Sequence, residues 1–428
     1  MSTAPGAGTT PGTGAAPLRT AVLGAGWVAR EVWVPLLEAH PAFEVAAVVD
    51  ADPEAARAVA PAGRAVPVAA RPEELADVPL DAAVVALPNH LHVPAARVLL
   101  RRGVPVFVEK PVCRTGEEAR ALRAATAPGA GVHAWSAARH RGDVRALAAL
   151  LPDLGEIRAL GLNWTRAAGI PQRDGWFTDR RLAGGGALLD LGWHLLDVGF
   201  DLLGWPDVAR ALGSLSGDWL GRAEGAADWS ARPVAPGAPS GRPPGAPAER
   251  VEDTARGFLL TTTGVAVTVE SRWASHQPLD STVITVEGSE GVAVLRGTFG
   301  FSPHRLGRSS LTVLRRGREE SVPLPEEPVG AEYGRQVDEL ARRLVRARSD
   351  GPGPGPGPGP GSVAGTGRAP DSLAEIAVLA SCVDRLYASA GRPAPTDRGP
   401  AADPGPATDP GPATAPHPRT ADLPHRSR

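Results

Sequence analysis

The stretch LRTAVLGAGWVA at residues 18–29, followed by FEVAAVVD at 43–50, decides the fold. Leu18–Leu23 is a short apolar run that ends in glycines, which reads as a buried strand. Trp27–Ala39 has helical spacing, and the second apolar run closes on Asp50. Outward from there the alternation continues. The segment after Asp52 is helical, RAVPVA (64–69) is a weak strand and DAAVVALP (81–88) a strong one. HVPAARVLLRRG (92–103) reads as a helix, VPVFVEK (104–110) as a strand, TGEEARALRAAT (115–126) as a helix and GVHAW (131–135) as a sixth strand. Strand–helix alternation of this kind predicts an α/β domain on a parallel, doubly wound sheet.

Gly24-Ala25-Gly26-Trp27-Val28-Ala29 is the G-x-G-x-x-A pattern, placed where a strand gives way to a helix. Gly24 allows a tight turn. Gly26 removes a Cβ, so that backbone N–H groups approach a pyrophosphate at the helix N-terminus. Asp50, at the end of the second strand, is suited to accept from both ribose hydroxyls and to repel a 2′-phosphate. No Arg or Lys stands at 51–53 to bind such a phosphate. The expected cofactor is therefore NAD, with NADP disfavoured. The bland alternatives are an ordinary glycine turn and, for Asp50, a cap on the next helix.

The second half changes period. Glu156–Arg166 reads as a strand, and Gly184–Leu203 begins glycine-rich and becomes an apolar helix. FLLTTTGVAVTVESRW (258–273), VITVEGSEGVAVLRG (283–297) and LTVLRRGREESVPL (311–324) each alternate with period two around a turn. These hairpins predict an open antiparallel sheet, and hence an α+β second domain. The expected organisation is a disordered leader at 1–17, a dinucleotide-binding domain at 18–138 and an α+β domain at 139–346 with a Pro/Gly-rich loop at 230–248. A Gly/Pro linker at 347–370, a docking helix at 371–389 and a disordered tail at 390–428 complete it. Ser372 and Glu375 have capping-box spacing at the start of that helix.

Bulk properties exclude several classes. A formal net charge of -2 gives no reason to expect nucleic acid or an acidic membrane as partner. The two cysteines, Cys113 and Cys382, form neither a metal-ligand spacing nor a disulfide framework, so no metal is expected and a reducing compartment is. The leader lacks a basic n-region and an apolar core, and no apolar run approaches the ~20 residues that span a bilayer. The expected location is the cytoplasm.

Lys110 is the only lysine among 45 Lys and Arg residues. It stands in Glu109-Lys110-Pro111 at the C-terminal end of the fifth strand, where this architecture opens into its ligand crevice. In an arginine-rich chain a retained lysine points to a task that a planar, permanently charged guanidinium does not perform. The alternative is a surface lysine at a strand end. In AGGGALLDLGWHLLD, Asp190 and His194 are spaced to share one helix face, a carboxylate beside an imidazole that could act as a base. Such a pair also occurs as a purely structural feature of an apolar helix.

Together, AVLGAGWVA with Asp50, LPNHLH, VEKP, Arg139, AGGGALLDLGWHLLD, VEDTARGFLLTTTG, ESRW and DRLYASAGR resemble the glucose–fructose oxidoreductase, inositol dehydrogenase and rhizopine-catabolism (Gfo/Idh/MocA) family. The resemblance covers residues 18–345 and 371–392. It implies a Rossmann domain followed by an open-faced sheet domain, with the cofactor between them. It implies that Lys110 contacts the substrate oxygen and the nicotinamide ribose, that His194 is the acid/base, and that Asp190 helps bind substrate. Gly24, Gly26, Trp27, Val28, Asp50, Pro88, Asn89, His92 and Glu109 would line or support the cofactor crevice. Trp176 and Arg180 would reach toward substrate, and Arg139 either touches a ligand or links the domains. His140-Arg141-Gly142-Asp143 departs from the family's usual aromatic and proline after the arginine.

The activity so implied is hydride transfer between nicotinamide and a secondary alcohol or ketone of a sugar, cyclitol or aminosugar-like polyol, in a homodimer or homotetramer built through the sheet. Two other readings carry the same motifs: a glycosidase that uses tightly held NAD for transient oxidation, and a non-catalytic dinucleotide sensor.

Overall fold

The computed structural model describes residues 16–134, 136–171, 175–222, 226–227, 250–350 and 372–392. The expected leader before residue 16, the loop at 230–248, the Gly/Pro segment 351–370 and the tail after 392 lie outside these residues.

The first sheet has six strands: β1 (Leu18–Leu23), β2 (Phe43–Val49), β3 (Val68–Ala69), β4 (Ala82–Val85), β5 (Val106–Val108) and β6 (Val132–Ala134). Their order is β3-β2-β1-β4-β5-β6, with all pairs parallel. The order reverses between β1 and β4, and a ligand crevice opens at such a switch point. The helices between strands are α1 (Val34–Ala39), α2 (Pro53–Val59), α3 (Asn89–Arg101) and α4 (Gly116–Ala125). The expected helix over Trp27–Ala39 is present, and it widens into a π-turn at Ala29–Trp33 before running into α1. Pro35 has no N–H for the ladder, and the Val34 N–H bonds the Ala29 carbonyl five residues back.

After α5 (Gly142–Leu150) the chain enters an eight-stranded sheet. Its first strand is β7 (Ile157–Thr165), and α6 (Arg180–Ala183) and α7 (Trp193–Leu202) follow. The remaining strands are β8 (Val208–Ser216), β9 (Thr254–Thr261), β10 (Ala266–Arg272), β11 (Ser281–Gly288), β12 (Val292–Gly297), β13 (Ser310–Arg315) and β14 (Arg318–Val322). The order is β14-β13-β12-β11-β7-β10-β9-β8. The three predicted hairpins are present as β9–β10, β11–β12 and β13–β14. The sheet is mixed, however, because β7 inserts between two hairpins and lies parallel to β10.

Two long helices close the fold: α8 (Ala331–Asp350) and α9 (Ser372–Ser389). The α8 residues Val337, Leu340, Ala341 and Leu344 pack in one cluster with Val22, Val48 and Val84 of the first sheet. This helix, which the sequence reading did not single out, thus returns to the dinucleotide-binding side. The α9 face of Ile376, Ala380, Val383 and Tyr387 is buried in the larger core shared by both sheets. Among the described residues, no helix is long and apolar enough to cross a membrane.

Arg139 ties these elements together. Its guanidinium donates to both oxygens of Asp197 on α7, with Nε at 2.8 Å from Oδ2, and to Glu375 Oε2 on α9 at 3.0 Å. It also covers the Trp205 ring at 4.6 Å. Burial by itself would lower its pKa, but Asp197, Asp201 and Glu375 hold it well above the usual guanidinium range. Of the two roles expected for Arg139, the contacts support the linking one. Arg139→Ala would strand Asp197 in the core without its cation, at a cost of about 3–5 kcal/mol. Chemical denaturation should register this loss, and an unshifted unfolding midpoint would contradict it.

Candidate active site

The glycine loop is shaped by close approaches. Gly24 has φ +101°, and a Cβ there would stand 2.3 Å from the Ala86 carbonyl oxygen at the end of β4, so only glycine fits. A Cβ at Gly26 would meet nothing within 4 Å, which leaves open space beside the loop. Asp50 Oδ2 accepts from the Ala25 N–H at 2.7 Å, and its Oδ1 accepts from the Asp52 N–H at 2.9 Å. The cap of α2 is Asp52 rather than Asp50. Asp50 therefore braces the loop it was expected to serve. Val28 packs against the first core, and the half-exposed Trp27 meets Phe301 edge-on at 5.8 Å.

Pro88 begins α3, but the Asn89 side chain turns away from the loop and donates to the Ala183 carbonyl of α6 at 2.8 Å. His92 sits between the Pro111 and Leu87 carbonyls, with Nδ1 at 2.9 Å and Nε2 at 2.6 Å, and its single ring N–H donates to one of them. It thereby fixes the turn that follows Lys110. Glu109 is buried and accepts from Trp33 Nε1 at 2.7 Å and from the Lys110 N–H at 3.2 Å. Burial raises its pKa.

Lys110 Nζ donates to Asp190 Oδ1 at 2.6 Å. The other oxygen of Asp190 accepts from Trp273 Nε1 at 2.8 Å, and Trp273 is fully buried. Burial would raise the Asp190 pKa, but Lys110 and Arg166 bring it down to about 2. The carboxylate–imidazole pair suggested by that spacing is not joined by a hydrogen bond. Both Asp190 oxygens are held by Lys110 and Trp273, and His194 has no hydrogen-bond partner among the described residues. The His194 ring lies 5.7 Å from the Trp164 ring. Its pKa is lowered to about 3 by burial and by Lys110.

The helix that presents Asp190 and His194 owes its position to the glycines before it. Asp190 lies in a π-turn, Leu188–Gly192, that runs into α7. Glu252 Oε1 accepts from the Gly186 and Leu188 N–H groups, each at 3.0 Å, and from the Tyr387 hydroxyl at 2.8 Å. A Cβ on Gly185 would lie 1.9 Å from the Tyr387 hydroxyl, and one on Gly186 would lie 1.8 Å from the Glu252 carbonyl oxygen. The glycines let a buried carboxylate and the C-terminal helix close on the start of the catalytic segment.

The structure thus brings Glu109, Lys110, Asp190 and His194 together. It places Arg139 and Arg180 elsewhere. Arg180 is buried and donates to the Arg392 carbonyl at 3.1 Å. Trp176 approaches only through Phe177, with ring centroids at 4.6 Å and Phe177 in turn 6.0 Å from Trp273. Sequence reasoning missed the roles of Trp273, Trp164, Glu252 and Arg166. Trp273 closes the quoted ESRW run, and Glu252 is the second residue of the quoted VEDTARGFLLTTTG run.

The chain matches a family described as "Oxidoreductase family, NAD-binding Rossmann fold" over residues 18–135, and "GFO/IDH/MocA C-terminal domain" over residues 145–294. A protein of Amycolatopsis mediterranei strain S699, assigned as the oxidoreductase subunit of a UDP-kanosamine synthase, is 45% identical over 374 residues, covering 87% of this chain and 96% of that protein. GenD2 from gentamicin A biosynthesis, solved with NAD, is 22% identical with a TM-score of 0.62, over 90% of this chain and 97% of its own. A 3-ketoreductase from Actinomadura kijaniata, solved with NADP and TDP-benzene, is 20% identical with a TM-score of 0.63, over 87% of this chain and 98% of its own. These last two share the fold.

Burial also makes the protein acid-sensitive. It lowers His92 and His133 to about 4, and His140 and His194 to about 3. All four are neutral in the folded chain, whereas unfolded histidine takes up a proton near ~6.5. Below that value the unfolded state binds more protons, so stability falls as pH falls. Burial also lifts Asp197 to about 6, and a carboxylate raised in this way offsets part of that loss as pH falls. Nuclear magnetic resonance of the histidine ring protons should show all four rings unprotonated at about pH 6, and a ring among them that titrates near ~6.5 would contradict the assignment.

Proposed function

The chain belongs to the GFO/IDH/MocA oxidoreductase family, and on that premise we propose that it moves a hydride between NAD and a ring carbon of a nucleotide-linked hexose, interconverting a secondary alcohol and a ketone. The observation that carries this reading is the contact of Lys110 with Asp190 beside a His194 that makes no hydrogen bond among the described residues. The glycine loop fits a dinucleotide: Gly24 admits the turn, Gly26 leaves space for a pyrophosphate, and Asp50 holds the loop from the second strand. When bound, the nicotinamide supplies the hydride-carrying carbon.

The protein's own groups divide the rest of the work. Asp190 fixes the Lys110 ammonium, which donates to the substrate oxygen and stabilises it as an alkoxide develops. His194 is neutral at physiological pH and has a free ring nitrogen, so it takes the hydroxyl proton in the oxidative direction and returns it in the other. Asp190, held ionised by its cationic neighbours, is not the proton carrier. Glu109, braced by Trp33, positions the strand end from which Lys110 projects.

The 45% identical relative, with its assignment to UDP-kanosamine synthesis, supports a nucleotide-linked hexose on the way to an aminosugar. A ketone is the form of a ring carbon with which an amine condenses, so oxidation would precede amination. The Asp50 carboxylate favours NAD over NADP by repelling a 2′-phosphate.

UDP-glucose with NAD is the first substrate pair to test, alongside other nucleotide-linked hexoses and their keto forms. Lys110→Met should still bind NAD while kcat falls about 10²–10³-fold, as expected for loss of an oxyanion-stabilising donor. NAD should outperform NADP in kcat/KM. Undiminished turnover in the variant would contradict the proposal.

A further inference from the structure

Arg166 stands one residue beyond the end of β7 and is not absorbed by the site as described so far. Its main chain is fixed: the N–H donates to the Arg272 carbonyl at 3.0 Å, and the carbonyl accepts from Ser275 Oγ at 2.9 Å. The side-chain stem rests on Gly169, where a Cβ would lie 2.4 Å from Arg166 Cδ. The guanidinium sits 5.4 Å from the Trp164 ring. Its Nε is sealed from solvent without a hydrogen-bond partner. Among the described residues no carboxylate pairs with the head group, and no side-chain hydrogen bond holds its two terminal nitrogens.

The carboxylates nearby are already committed. Asp190 is held by Lys110 and Trp273, and Glu109 by Trp33 and the Lys110 N–H. Yet the Arg166 charge is close enough to act on both Asp190 and His194. Arg166 and His194 rest against the same indole, at 5.4 and 5.7 Å from its ring. Their separation is therefore at most the sum of those two lengths, a span that a hexose bearing a phosphoryl group can bridge. A buried guanidinium nitrogen without a partner is unfavourable, and an anionic ligand at the two terminal nitrogens would balance the charge held there. A planar fork with two free donors matches a phosphoryl group.

We propose that Arg166 is the residue that selects a phosphorylated sugar, by taking a phosphoryl oxygen of the substrate while Lys110 and His194 address the reacting carbon. This rests on the oxidoreductase reading and adds the substrate's charge to it.

The test is isothermal titration of NADH-loaded protein with UDP-glucose, glucose 1-phosphate and methyl α-glucoside, in the wild type, Arg166→Gln and Arg166→Lys. The wild type should bind at least one of the phosphorylated ligands in a salt-sensitive manner. Which of them it binds separates a diphosphate from a single phosphoryl group. Arg166→Gln should weaken that binding by about tenfold or more, as loss of a charge-assisted hydrogen bond implies. Arg166→Lys should recover part of it, and NAD binding should be unchanged in both variants. The inference is overturned if the wild type binds neither phosphorylated ligand, if Arg166→Gln binds them as well as the wild type, or if NAD binding is what collapses. It is also overturned if the loss falls equally on methyl α-glucoside, since Arg166 would then read hydroxyls. With NADH bound and no keto group on the sugar, no hydride is transferred in this assay. Failure to reduce NAD with any hexose tested would sink the oxidoreductase reading, whereas turnover with binding indifferent to Arg166 would sink this inference alone.

Discussion

A 2.6 Å contact between Lys110 Nζ and Asp190 Oδ1 joins the edge of the parallel sheet to the helix of the second domain. Much of the surrounding architecture holds one end of that contact or the other. On the lysine side, Glu109 bonds Trp33 behind the strand, and His92 grips the Pro111 and Leu87 carbonyls. On the aspartate side, Trp273 fills the second carboxylate oxygen, while Glu252 and Tyr387 pin the start of the helix. An ammonium and a carboxylate drawn out of water are stabilised only where their remaining donors and acceptors are met. Here the two partners of the Asp190 carboxylate, Lys110 and Trp273, come from separate segments of the chain.

The first sheet was legible because its information is local. Apolar runs, glycine punctuation and helical spacing lie in sequence order, and β1 to β6 follow them. The same holds for the three hairpins, whose partners are adjacent along the chain. What was not legible is pairing between distant segments. β7 lies parallel to β10 and antiparallel to β11, and no local pattern shows that a strand will insert between two hairpins. Likewise α8 was not singled out from the sequence, and its landing place on the first sheet depends on tertiary packing.

The same distinction sorts the site. Lys110 stood out by composition and position, and Asp190 and His194 by helical spacing. Their spacing was a correct guide to proximity and a poor guide to partnership. Asp190 pairs with a lysine 80 residues away rather than with the histidine one turn on. Arg139 and Arg180 show the converse: an arginine near a motif was drawn instead into α7 and α9, or onto the Arg392 carbonyl. Arg166, Trp164 and Trp273 enter the site because β7 and β10 run side by side and end at the same rim, a fact that exists only in the folded sheet.

Because Lys110 is the chain's single lysine, its environment can be observed without interference from any other lysine. Reductive methylation with 13C-formaldehyde leaves the ammonium charged and able to donate. It yields one lysine dimethyl resonance apart from that of the N-terminal amine. The account predicts that this resonance shifts on Asp190→Asn substitution and shifts again when NAD is added. A resonance indifferent to both, as for a lysine extended into bulk water, would contradict the ion pair on which the site is built.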